Sequence, residues 1–89
     1  MSKTYYKDPD AVLDYTIDWS PWLDGDTINT SIYIVANGIV EDSRSNTNTE
    51  TTIWLSSGTS SVKYKITNRI VTAAGRTEDR TFYVKIKEK

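Results

Sequence analysis

Carboxylates and aromatic rings are the side chains through which this chain could do chemistry. Asp8, Asp10, Asp14 and Asp18 fall in one stretch, and Asp24 and Asp26 flank Gly25. Calcium needs six to eight oxygens converging on one point. The spacing here does not follow the loop of a helix–loop–helix calcium site. Asp14 and Asp18 lie on the polar side of an alternating run, and Asp-Gly-Asp is ordinary turn chemistry. Two carboxylates facing each other across a cleft could hydrolyse a glycosidic bond. In so short a chain the acids fall instead in turns and on strand exteriors. There is no histidine and no cysteine, which removes the commonest general base, the usual metal ligands and any thiolate nucleophile. No Gly-x-Ser-x-Gly elbow is present, and Ser57-Gly58-Thr59 is not a phosphate loop. The expectation is no catalytic residue, no metal site and no cofactor.

The aromatics point to contact rather than catalysis. Three tryptophans are many for 89 residues. Trp19 is in phase with Leu13, Tyr15 and Ile17 and reads as core. Trp54 alternates with Ile53 and Leu55 and should face away from them. Tyr33 and Tyr83 read as outer-face residues of their strands. Exposed Trp and Tyr are enriched at protein interfaces, so Trp54, Tyr33 and Tyr83 are the candidate partner-binding residues. The alternative is an adhesion or carbohydrate-binding domain in which Trp54 and Tyr33 stack on sugar rings. The cations Lys63, Lys65, Arg69, Arg76, Arg80, Lys85 and Lys87 crowd the last third. A nucleic-acid face with Tyr83 stacking on a base is conceivable. Solvated strand exteriors, with lysines that discourage edge pairing, account for them better. A net charge of −1 gives no electrostatic capture of nucleic acid or an anionic membrane.

Strands must position these side chains. Thr occurs 13 times, Ile 9 and Val 6, while Leu and Ala together number 7. Branched side chains suit a pleated surface and lose rotamer freedom in a helix. Residues 1–10 carry few core signals and read as a flexible N-terminal arm kinked at Pro9. Leu13 to Trp19 alternates with period two, and Ser20-Pro21 stops the run. Trp22-Leu23-Asp24-Gly25-Asp26 reads as a tight turn. In the run from Thr27 to Ala36, Ile28, Ile32 and Ile34 share one face and Tyr33 and Val35 the other. Asn37-Gly38 predicts a hairpin of the type needing φ > 0 at both positions. Residues 42–50 have no apolar side chain and read as a polar loop or a solvent-facing edge strand. Strands follow at Thr51–Leu55, Val62–Ile70 and Phe82–Ile86, the last two joined by Ala73-Ala74-Gly75-Arg76. Tyr64 begins its strand, where a tyrosine hydroxyl can tie down the neighbouring loop.

Short strands at regular spacing with no helical period describe an all-β domain: an immunoglobulin-like, fibronectin-III-like β-sandwich of six or seven antiparallel strands spanning 11–89. The N-terminus lacks the apolar stretch of a secretion signal. No run approaches the ~18 apolar residues of a membrane span. The expectation is a soluble domain made in a cytosol.

The pattern as a whole resembles a known family. Its elements are Asp8-Pro9-Asp10-Ala11-Val12-Leu13-Asp14-Tyr15, Asp18-Trp19, Trp22-Leu23 and Gly25-Asp26-Thr27-Ile28. Further on come Trp54-Leu55, Gly58-Thr59, Tyr64, Thr67-Asn68-Arg69-Ile70, Thr72, Gly75-Arg76 and Asp79-Arg80. From about residue 8 to residue 87 the chain is similar to short uncharacterised proteins from the structural-gene region of tailed phages and prophages, which have an immunoglobulin-like fold. That resemblance implies a non-enzymatic head, connector or tail accessory protein, located in the virion and in the host cytoplasm before assembly. It implies other virion structural proteins as partners, a homo-oligomer in the particle, and neither nucleic acid nor membrane. It transfers no site residue. The polar 42–50 segment departs from the pattern.

Overall fold

Strand alternation and a few special turns build two stacked sheets. The computed structural model describes residues 3–88. Its elements are β1 (Lys3–Lys7), β2 (Leu13–Asp18), a helical turn α1 (Ser20–Leu23), β3 (Ile28–Val35), β4 (Ile39–Asn46), β5 (Glu50–Ser57), β6 (Lys63–Thr72) and β7 (Thr77–Ile86). One sheet has the order β1-β7-β6-β3 and the other β2-β5-β4. Inward side chains from both sheets form one large cluster that includes Tyr15, Ile53, Leu55, Tyr64, Ile66, Phe82, Val84 and Ile86. A smaller cluster of Trp19, Leu23, Ile28 and Ile70 fills one end. Each such side chain contributes about 1.5–3 kcal/mol by leaving water. This is the expected immunoglobulin-like sandwich, with one strand pair of different sense.

That pair is β1 and β7, which run parallel from Lys3↔Phe82 to Lys7↔Ile86. Residues 1–10 were expected to be a flexible arm outside the sandwich, but Lys3–Lys7 is seated within it. Its inward contacts are unusual for a strand. The Tyr5 ring lies 5.0 Å from Tyr15 and 5.6 Å from Phe82. Lys7 is fully buried and donates from Nζ to the carbonyls of Ser57 (2.8 Å) and Asp8 (2.9 Å). One inward ring between two lysines leaves no alternating pattern to read. Met1 and Ser2, also part of the expected arm, lie outside the described residues, as does Lys89.

Three further expectations change. A bulge between Ile28 and Thr30 inserts a residue and reverses the phase of β3. Ile28 therefore points inward, whereas Ile32 and Ile34 are 44% and 49% exposed and Tyr33 is buried. Asn37-Gly38 does not close a hairpin: only Gly38 has positive φ, at 104°. The chain crosses there to the other sheet, and β4 pairs with β5. The polar 42–50 segment divides between edge strand β4 and a turn. In that turn the Thr47 hydroxyl accepts from the N–H groups of Thr49 (3.3 Å) and Glu50 (3.0 Å). The Tyr64 hydroxyl accepts from Thr59 N–H at 2.9 Å, tying down the loop before β6.

Candidate partner-binding faces

The candidates divide between a closed corner and two open faces. At the corner, Asp18 accepts from the Ser20 N–H (3.0 Å) and hydroxyl (2.7 Å). Pro21 sits in the first turn of α1, where its missing N–H costs nothing. Asp24 takes the left-handed conformation, φ 49°, and ends the turn. Trp19 is thereby driven fully inside, where Nε1 donates to Asn68 Oδ1 at 3.0 Å. Asn68 also accepts from Thr51 Oγ1 (2.7 Å) and donates to Ser31 Oγ (2.9 Å) and the Ile32 carbonyl (2.8 Å). Every polar position of this buried amide is used, and it joins the two sheets.

Two cations from the β6–β7 hairpin close the corner. The Arg80 guanidinium lies 4.3 Å from the Trp19 ring centre, and that of Arg76 lies 4.0 Å from Trp22. Arg76 also donates to the carbonyls of Trp22 (3.0 Å) and Leu23 (3.1 Å), groups that α1 itself leaves unpaired. Strand alternation alone assigns both arginines to solvent. Their structural use becomes visible only once the hairpin is folded over the tryptophans.

The three expected partner-binding residues are not brought together. Tyr33 is buried, 6% exposed, and donates to Thr51 Oγ1 at 3.0 Å. Burial pushes its hydroxyl up to about 12, although the bond to Thr51 pulls the other way. Its expected place on an outer face is corrected by the β3 bulge, and a sugar platform of Trp54 with Tyr33 loses one ring. Trp54 is 41% exposed on the outer face of β5, between Asp14 of β2 and Ser43 of β4. Tyr83 is half-buried on the outer face of β7, on the opposite side of the sandwich, with Lys63 Nζ 4.6 Å from its ring centre.

Among the described residues no three His, Cys, Asp or Glu side chains group so as to hold a metal ion. A cleft of about 490 Å³ at the sheet edge is lined by Tyr5, Ile17, Asp79 and Arg80, among others. Its one carboxylate, Asp79, is held by Arg69 at 2.8 and 3.0 Å. That leaves no acid pair across it. Among the described residues no helix is long and apolar enough to cross a membrane.

The family model described as podophage GP4 fiber-tail adaptor protein gp77 matches residues 7–85. The chain belongs to this family. The gp77 family is one of phage structural proteins, so the chain is a structural module of a phage virion whose partners are other virion proteins. The gp77 match runs from the last residue of β1 almost to the end of β7, taking in the corner and both outer faces. Among solved structures, the chain is similar to the PKD domain from KIAA 1837 protein, determined in solution. The TM-score is 0.57 at 18% identity, over 99% of this chain and 81% of that one. That likeness concerns the fold. No curated protein sequence matches the chain.

Proposed function

We propose that the chain is a non-enzymatic adaptor joining a fibre to the tail of a tailed phage, acting by surface complementarity. The extent of the gp77 match, residues 7–85, carries this reading: it runs from the end of β1 through β2–β6 and nearly all of β7 and is not confined to one local segment. Trp54 on one outer face and Tyr83 on the other are the aromatic anchors for neighbouring virion proteins. Such contacts place the energy in a few desolvated rings, and they need neither cofactor nor nucleic acid nor membrane. Before assembly the adaptor resides in the host cytoplasm.

Deletion of the gene from an otherwise intact phage tests the role. The expected product is tailed particles lacking fibres, with attachment restored by the wild-type gene in trans. Particles that carry a full set of fibres without the gene would overturn the adaptor reading.

A further inference from the structure

The two outer faces sort their charges by sign. On the four-stranded sheet, Lys63 and Lys65 of β6 and Lys85 of β7 point outward, with Lys87 just beyond. Tyr83 and Tyr6 lie among them, and Ile32 and Ile34 continue the face along β3. The one outward carboxylate on the strands of this sheet, Asp79, is already paired with Arg69. On the three-stranded sheet, Asp14 and Asp18 of β2 and Glu50 of β5 point outward around Trp54. Asp42, at the bulge in β4, joins them by accepting from Ser56 Oγ at 2.8 Å. No Lys or Arg points outward from the strands of this second sheet.

Each face also sets like charges directly opposite one another across a ladder. Lys63 faces Lys85 in one sheet, and Asp18 faces Glu50 in the other. Such pairs destabilise an isolated sheet. Among the described residues Lys63, Lys65, Lys85, Lys87, Asp14 and Glu50 form no ion pair. With a net charge of −1, the chain has no overall attraction for a polyanion, and its acidic face would repel one. A second copy of the chain presents a cationic face to the acidic one and an acidic face to the cationic one, with exposed Trp54 and Val40 on the acidic side and Tyr6, Ile32 and Ile34 on the cationic side.

We propose that copies of the chain associate through unlike faces, the Lys63–Lys85 face of one against the Asp14–Trp54–Glu50 face of the next. A contact between two different patches is heterologous and repeats from copy to copy, closing into a ring where the rotation allows. The inference deepens the proposed function by making another copy of the chain the neighbour that meets the Trp54 and Tyr83 faces, and its failure is distinguishable: a monomeric adaptor would still be found in particles.

Sedimentation velocity of the full chain tests it. At low ionic strength the mass should grow with concentration. In about 1 M salt, where screening shortens to ~3 Å, association should weaken by about tenfold or more. The pairs K63E/K85E and D14K/E50K each cancel the net charge of one face and leave the other face as it is. Each should fold, as judged by its melting curve, and stay monomeric alone, whereas an equimolar mixture should associate again. A wild-type chain that is monomeric at every concentration in low salt would overturn the proposal. So would reversed variants that associate undiminished. A wild-type chain that stays monomeric yet binds a single-stranded oligonucleotide through Lys63 and Lys85 would assign that face to nucleic acid instead.

Discussion

Trp19 and Trp54 contrast two uses of the same side chain. Trp19 is fully buried, its N–H bonded to Asn68 and its ring covered by Arg80. Trp54 projects from the middle of β5, and among the described residues no ring or cation is seated on it. The nearby cations differ in the same way. Arg76 and Arg80 at the corner cover indole rings and cap backbone carbonyls, while Lys65 and Lys85 on the four-stranded face form no ion pair. Inside the corner each polar group is matched within the chain, so its chemistry is spent on holding the fold. On the outer faces Trp54 and the charges of Lys65, Lys85, Asp14 and Glu50 have no ion pair or ring contact among the described residues, which is where a virion module can meet its neighbours.

If the corner is structural, Trp19→Ala should have the largest effect. Removing a buried indole costs about 3–5 kcal/mol, read as a fall in the denaturant midpoint at unchanged slope. Asn68→Ala comes next, at about 3 kcal/mol. It leaves the buried Trp19 N–H without its acceptor in a dry site. In a double-mutant cycle the Asn68 and Thr51 changes should be less than additive; additive losses would separate Thr51 from the network.

Tyr33 gives the contrast a pH signature. Its hydroxyl titrates at about 12 in the fold against 10.0 when free, so the unfolded chain loses that proton first. The stabilisation is complete below pH 10 and drains as the pH rises through 12. That amounts to roughly 2–3 kcal/mol at 1.36 kcal/mol per pH unit. Tyr33→Phe should flatten the alkaline limb of a pH-dependent melting series. Part of the limb should survive through Tyr15, whose hydroxyl is also raised by burial.

Arg76→Ala should cost about 1 kcal/mol in thermal melts, through the lost contact with the Trp22 ring and the uncapped Trp22 carbonyl. The smallest effect on stability belongs to Trp54→Ala, within about 0.5 kcal/mol of wild type. That variant should nevertheless be depleted from particles. Normal incorporation of Trp54→Ala would move the docking surface elsewhere.

How far the sequence could be read follows the same division. Clean alternation placed Trp19 inside with Tyr15 and set Trp54 opposite Ile53 and Leu55, and the structure has both so, whereas Leu13 at the start of β2 is 39% exposed. Alternation is blind to an inserted residue, so the bulge after Ile28 turned Tyr33 inward unannounced. It is equally blind to a short strand such as Lys3–Lys7, which is held by one ring and one lysine amine. Arg76 and Arg80 could not be told from surface charge, because their partners lie more than fifty residues away in the chain. The separation of charge by face needed the sheet registers: the sequence shows the lysines crowded late and the acids early, but not which strands share a face.

Quantitative mass spectrometry of purified particles tests most directly whether the chain is a structural part of the virion. The protein should be present at a fixed copy number relative to the tail proteins, and that ratio should persist through further purification. Its clear absence from particles, while abundant in the lysate that produced them, would contradict the account.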